Sequence, residues 1–348
     1  MALKVAEQIV SQSLRVGIAG YGLAGRTFHA QLLKGCGFNV VGVLTNNEAR
    51  AQHVIEDFPQ AKITSTINQL LALGLDLLVV ASTNNAHAEQ ALAGINAGVP
   101  TVVDKPMART YEETKSIVDA SQASGVPVTA FFSRRWDSDS LTLKKVMTED
   151  LLGDVFRVDS RFERFRPSLA AASWREKLPP EEGGGLLLDL QSHLISTSLD
   201  WFGPAVLTYS SVRTIRGAAD DDVLLVLKHR TGVDSYLSAS AIVGAPGPRL
   251  RVNGTKGTLI INDLDQQEAL LRAGKYPVNG KWGEPTSSKV TLHRGDEVIE
   301  IDGENGNYAI FYELVKGALA GRNDWPVSTW DALAVASIID EARAGSVR

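Results

Sequence analysis

From Leu14 to about Ala130, short and nearly continuous apolar runs alternate with longer segments of helical rhythm. The runs are LRVGIA (Leu14–Ala19), FNVVGVL (Phe38–Leu44), DLLVVAS (Asp76–Ser82), PTVVD (Pro100–Asp104) and VPVTA (Val126–Ala130). Strands covered on both faces read this way, because neither side of the pleat meets water. Between them, AHAEQALAGINAG and TYEETKSIVDASQASG read as helices, each ending at a glycine suited to a C-cap. This alternation predicts a doubly wound, parallel α/β sheet.

Beyond about Trp136 the rhythm changes. A helix over Ser138–Glu149 leads into the extended stretch DVFRVDSRFERF, and a glycine trio then precedes one helix, LLLDLQSHLISTSLDWFG. Strand-like segments follow at Ala205–Arg216, Val223–His229, Asp234–Val243, Arg249–Val252 and Thr258–Ile261, with turns such as HRTGVD and NGTKG. Gly- and Asp-containing turns between short strands point to an antiparallel sheet. The end is helical again, over Tyr308–Ala320 and Thr329–Ala344. Two domains are expected, residues 13–135 and 136–348.

Composition narrows the class of protein. The chain has 348 residues, 44% hydrophobic and 22% charged, enough to bury a sizeable core. Its net charge of -5 lacks the basic footprint of a nucleic-acid binder. Cys36 stands alone, so neither an internal disulfide nor a cysteine metal cluster is expected, which favours a reducing cytoplasm. The first residues do not read as a signal peptide, and no apolar run is long enough for a membrane span. No metal site is expected either, since Asp189 and His193 alone are too few ligands.

The first strand runs into Gly20-Tyr21-Gly22-Leu23-Ala24-Gly25, a GxGxxG at the head of a βαβ unit. The first glycine makes the tight turn, the second admits a pyrophosphate, and the third lets helix pack on strand. This context favours dinucleotide binding over a glycine-rich turn. NAD sites usually carry an acid about 20 residues later, at the end of the second strand. Here Thr45 and Asn46 are neutral and Arg50 follows, a set that suits a 2′-phosphate and favours NADP over NAD. The alternative is a solvated Arg50, with Glu48 on the ribose.

Candidate chemistry lies at strand ends, where open parallel sheets bind ligands. Lys105 follows the strand Pro100–Asp104 and precedes Pro106, which can form a cis bond; a plain surface lysine fits the same position. Ser82, Thr83, Asn84 and His87 can line the cofactor cleft. Asp189 and His193, four residues apart after Gly183-Gly184-Gly185, share a face if one helix carries both. They read either as a substrate-facing pair or as a satisfied surface pair. Trp136, Trp174 and Trp282 read chiefly as packing. Arg161, Arg164 and Arg166 mix exposed strand positions with a candidate ligand contact, and Asp220-Asp221-Asp222 reads as a solvated turn.

GYGLAG, VVDKPMA and GGGLLLDLQSHL together resemble the glucose–fructose oxidoreductase and inositol dehydrogenase (Gfo/Idh/MocA) family over nearly the whole chain. The resemblance implies an N-terminal Rossmann domain and a C-terminal α/β domain with a large open, mainly antiparallel sheet, often used for homodimers or homotetramers. It implies catalytic roles for Lys105, Asp189 and His193, and cofactor contacts from Asp104, Trp174, Arg175 and Tyr308. YGLAGRTFHAQLL, SRRWDSDSLTLKKV, RFRPSLAAASWREK and QQEALLRAGKYPVNGKWG are similar to the NADP-dependent scyllo-inositol 2-dehydrogenase subgroup. Asp104 departs from that subgroup's Glu, Ser133 from its Asn and Gln191 from its Gly. The implied activity is interconversion of a secondary alcohol and a ketone on a cyclic polyol or sugar. Alternatives are reduction of another keto-sugar, or dinucleotide sensing without catalysis.

Overall fold

The computed structural model describes residues 13–169, 174–287 and 289–345. Its first sheet contains β1 (Arg15–Ala19), β2 (Asn39–Leu44), β3 (Lys62–Thr64), β4 (Leu77–Val80), β5 (Thr101–Asp104) and β6 (Val128–Phe131). The order is β3-β2-β1-β4-β5-β6 and every pair is parallel. All four residues of β4, of β5 and of β6 are buried, as continuous apolar runs require. The apolar pattern does not show β3, whose three residues KIT lie at the sheet edge with two of them exposed.

The second sheet contains β7 (Val155–Glu163), β8 (Ala205–Arg213), β9 (Asp222–His229), β10 (Asp234–Ser240), β11 (Leu250–Gly254), β12 (Gly257–Ile261), β13 (Lys289–Arg294) and β14 (Glu297–Asp302). Its order is β14-β13-β12-β11-β7-β10-β9-β8, antiparallel throughout except for β7 against β10. The pattern does not reveal β13 and β14; β14, at the edge, mixes three acids with three apolar residues and buries none of them. On the inner face, Val158, Leu225, Leu227, Leu237, Leu250 and Val252 are buried. On the other face, Tyr236 lies beside Val226, which is itself paired with Tyr209. Tyr236 and Tyr209 are 37% and 54% exposed there, so among the described residues these two rings are left partly uncovered.

Two expectations change. The single helix expected from Leu186 is two, Leu186–Asp189 and Gln191–Phe202, broken at Leu190. Packing also crosses the linear boundary near residue 136. His29 Nδ1 lies 2.6 Å from the Tyr312 hydroxyl, Thr129 Oγ1 donates to Val327 O, and Tyr111 N donates to Asp340. The last two helices, Ala309–Leu319 and Thr329–Gly345, thereby help close the core of the first sheet. No helix among the described residues is long and apolar enough to cross a membrane.

Candidate active site

A cleft of about 960 Å³ opens between the carboxyl ends of the first sheet and the inner wall of the second. Leu23, Ala24, Asp104 and Lys105 line it from one side, and Arg164, Arg175, Asp189 and His193 from the other.

The glycine motif meets it through Leu23 and Ala24. Gly20 has φ +97°, and a Cβ there would lie 2.6 Å from Ser82 Cα, so only glycine fits. A Cβ on Gly25 would lie 2.1 Å from Gly20 O, because the π-helical segment Leu23–Ala30 presses against the turn. Above Gly22 the backbone is open, and the Arg50 guanidinium is 3.8 Å from the position a Cβ would take. Asn47 caps the next helix by accepting from Arg50 N, Thr45 Oγ1 accepts from Asn47 N, and Asn46 is exposed. Tyr21 turns inward, its hydroxyl donating to Asp57, so only its backbone is left for a ligand.

Lys105 leaves β5 through a cis Lys105–Pro106 peptide. Its Nζ lies 2.7 Å from Asp189 O and 2.8 Å from Asp189 Oδ1. Arg175 Nε approaches the same oxygen at 3.2 Å. Burial pushes the Asp189 carboxyl up, but Lys105 and Arg175 outweigh it and hold the group at about 2. Asp189 therefore engages two cations. Among the described residues it makes no hydrogen bond to the His193 ring, whose buried Nδ1 has no partner. Burial, then the charges of Lys105, Arg134, Arg249 and Arg175, push the His193 imidazole well below its ordinary value, so it is neutral at pH 7.

Several residues take places that the sequence did not signal. Phe162 sits between Arg134 and Arg249, whose guanidinium carbons are 5.1 and 4.1 Å from its ring centroid, and its ring meets His193 edge-on at 6.4 Å. The glycine trio is held from outside: Asn84 Nδ2 donates to Gly183 O, and Gly185 N to Arg175 O. Asp220 is buried rather than solvated. Its Oδ2 accepts from Leu187 N and its O from Leu186 N, which fixes the start of the short helix carrying Asp189. Burial raises that carboxyl to about 6. Asp221 is also buried, on Arg216 and the amides of Ile215 and Arg216, and Asp222 starts β9 on Arg213. Three acids in a row carry no local signal separating this arrangement from a turn.

Two other expected contacts, His87 and Tyr308, lie inside the fold. His87 is fully buried, its nitrogens 2.9 Å from Pro106 O and 3.3 Å from Ser82 O, so it braces the loop instead of lining the cleft. Tyr308 is likewise fully buried. Its hydroxyl donates to Asp137 and accepts from Arg134, so it meets the cleft through Arg134 and through Phe28, whose ring centroid is 6.4 Å from its own. Asp104 faces His29 at 3.5 Å, Ser82 donates to Gln90, and Thr83 to Asn85. The side chain of Trp174 lies outside the described residues. Trp136 packs on Phe311 and Trp282 donates to Gln267. Among the described residues no cluster of three His, Cys, Asp or Glu side chains could hold a metal.

Residues 14–132 match the family model described as "Oxidoreductase family, NAD-binding Rossmann fold", and residues 140–260 match the "GFO/IDH/MocA C-terminal domain". The chain belongs to the Gfo/Idh/MocA oxidoreductase family. One Gfo/Idh/MocA relative, the scyllo-inositol 2-dehydrogenase (NADP(+)) IolW of Bacillus subtilis, is 32% identical over 96% of this chain and 94% of its own. The oxidoreductase YdgJ of Escherichia coli is 31% identical over 95% and 96%. Among solved structures, the oxidoreductase yvaA from Bacillus subtilis superposes with a TM-score of 0.86 at 30% identity, covering 96% of each chain. The Gfo/Idh/MocA cofactor is a dinucleotide, and the turn fits one: Gly20 and Gly25 leave no room for side chains, while the backbone at Gly22 stays open beneath a guanidinium.

Proposed function

We propose that the chain is an NADP(H)-dependent, cytoplasmic oxidoreductase interconverting a secondary alcohol and a ketone on a cyclic polyol or sugar, of the scyllo-inositol 2-dehydrogenase type. The observation that carries this reading is the convergence of Lys105, Asp189 and neutral His193 on one cleft, next to the glycine turn. When bound, the nicotinamide supplies the hydride acceptor or donor. Residues 13–135 would hold the dinucleotide, with the backbone of Gly20, Gly22, Leu23, Ala24 and Gly25 available to its pyrophosphate and Arg50, Thr45 and Asn46 to a 2′-phosphate.

Residues 136–348 supply Asp189 and His193. His193 Nδ1 is buried without a partner, which leaves Nε2 to face the substrate hydroxyl and accept its proton during oxidation. A neutral imidazole is already in the accepting form at physiological pH. Lys105 stabilises negative charge growing on the reacting oxygen, and Asp189 positions Lys105 through the 2.8 Å contact. The partly exposed Tyr209 and Tyr236 on the outer face of the second sheet support assembly into a homodimer or homotetramer.

The test is a panel of inositols, inososes and aldoses assayed with NADP(H) and NAD(H) separately. Consumption of NADPH by an inosose or a related keto-sugar is expected. Binding of NADPH without turnover of any carbonyl compound would instead identify a dinucleotide sensor.

A further inference from the structure

Nine basic side chains line the cleft. Seven of them have a carboxylate within 4.0 Å, among them Arg175 on Asp189, Arg216 on Asp221 and Arg249 on Asp139. Arg164 and Arg166 have none among the described residues, and the Arg164 Nε is buried with no hydrogen-bond partner. The backbone presents both residues rigidly. Arg164 N donates to Ser240 O at 3.0 Å, Arg166 N to Ala241 O at 2.7 Å, and Val243 N to Arg164 O at 3.1 Å. Phe165 between them bridges to Ile242. On an extended backbone, positions i and i+2 project to the same side.

Two neighbouring guanidiniums on one side repel each other; Arg164 is half-buried, which weakens the screening at its end, while Arg166 is exposed to solvent. Burial, and then the Arg166 charge, lower the pKa of Arg164 against the smaller opposing pull of the more distant Asp189, Glu176 and Glu268. A neutral hydroxyl can accept a hydrogen bond here but brings no charge to offset the repulsion within the pair. An oxyanion compensates both, and the guanidinium fork matches carboxylate and phosphate geometry. The pair belongs to the wall that carries His193, whereas the cofactor-phosphate cradle at Gly22 and Arg50 belongs to the first sheet.

We propose that Arg164 and Arg166 form an anion subsite, and that the substrate is a polyol or sugar bearing a carboxylate or a phosphate ester beyond the reacting carbon. This rests on reading the cleft as a polyol oxidoreductase site. The test is calorimetric titration of the NADP+-loaded protein with gluconate, glucose 6-phosphate and glucose, for the wild type, Arg164→Gln and Arg166→Gln. At least one anion is expected to bind about tenfold or more tightly than glucose. Its advantage should shrink as KCl rises from about 0.05 to 0.5 M, and should largely vanish in Arg164→Gln. The arm that binds distinguishes carboxylate from phosphate.

Glucose binding as tightly as both anions would overturn the proposal. So would a preference that ignores salt and survives both substitutions. If Arg164→Gln does not fold, the wild-type salt series and Arg166→Gln still decide. Because binding is read without turnover, a protein that captures the anion but reduces no ketone keeps this subsite and loses the oxidoreductase reading.

Discussion

Replacing Asp189 with Asn keeps the side chain's shape and removes the charge that holds Lys105 and Arg175 together. Held at about 2 rather than 3.8, this carboxyl contributes about 2 kcal/mol of stability at neutral pH. The side chain is 21% exposed, so solvent screening discounts that figure little. Because the folded pKa is the lower one, the contribution is complete above pH 3.8 and fades as pH falls toward 2. The loss should therefore appear as a lower unfolding midpoint at pH 7 that narrows toward the wild-type value in acid. Activity should fall further than stability, because an unanchored Lys105 no longer sits where charge develops. Losing one such positioned donor typically lowers the rate by about 10²–10³-fold. Paired measurements of kcat/KM and thermal unfolding across pH test both limbs. Wild-type kcat/KM in a folded Asp189→Asn protein would refute the reasoning, as would a stability deficit unchanged by acid.

Exchanging His193 for Ala should lower turnover by about 10²–10⁴-fold while NADPH binding persists, read by stopped assay and by nucleotide titration. In the wild type, burial and the surrounding cations place His193 protonation well below 6.5, so kcat/KM for oxidation should stay level from neutrality down to that region. Arg50→Gln should reduce kcat/KM for NADPH by about tenfold to a hundredfold and that for NADH by far less, since only the former carries a 2′-phosphate. Tyr236→Glu on the outer face of the second sheet should lower the mass measured by light scattering from that of an oligomer to that of one chain.

The first sheet was largely legible because continuous apolar runs leave a strand little other use, and a glycine motif at a strand end has a specific steric meaning at Gly20 and Gly25. What the sequence lacked was long-range information. Nothing local says that Lys105 meets a carboxylate 84 residues later, or that Arg134 and Arg249 flank Phe162. His87 and Tyr308 mislead for one shared reason: a polar side chain near a site can brace backbone or neighbours as readily as it can touch a ligand. Asp220 misleads in the opposite direction. Its carboxylate looks like turn chemistry until the amide of Leu187 is seen to need an acceptor. At β14, three acids among Val298, Ile299 and Ile301 interrupt any apolar run, and no residue of this edge strand is buried.

The return of the last helices to the first sheet has a consequence for synthesis. His29 waits for Tyr312, 283 residues downstream, and Tyr111 waits for Asp340, 229 residues downstream. At translation rates of about 5–20 residues per second, the first of these contacts lags by roughly 15–60 s. Throughout that interval the nascent parallel sheet carries apolar surface that only the end of the chain can cover, so a ribosome stalled near residue 300 would hold a half-built, aggregation-prone sheet. Chaperone demand should therefore peak late in elongation and end abruptly when the final helix emerges.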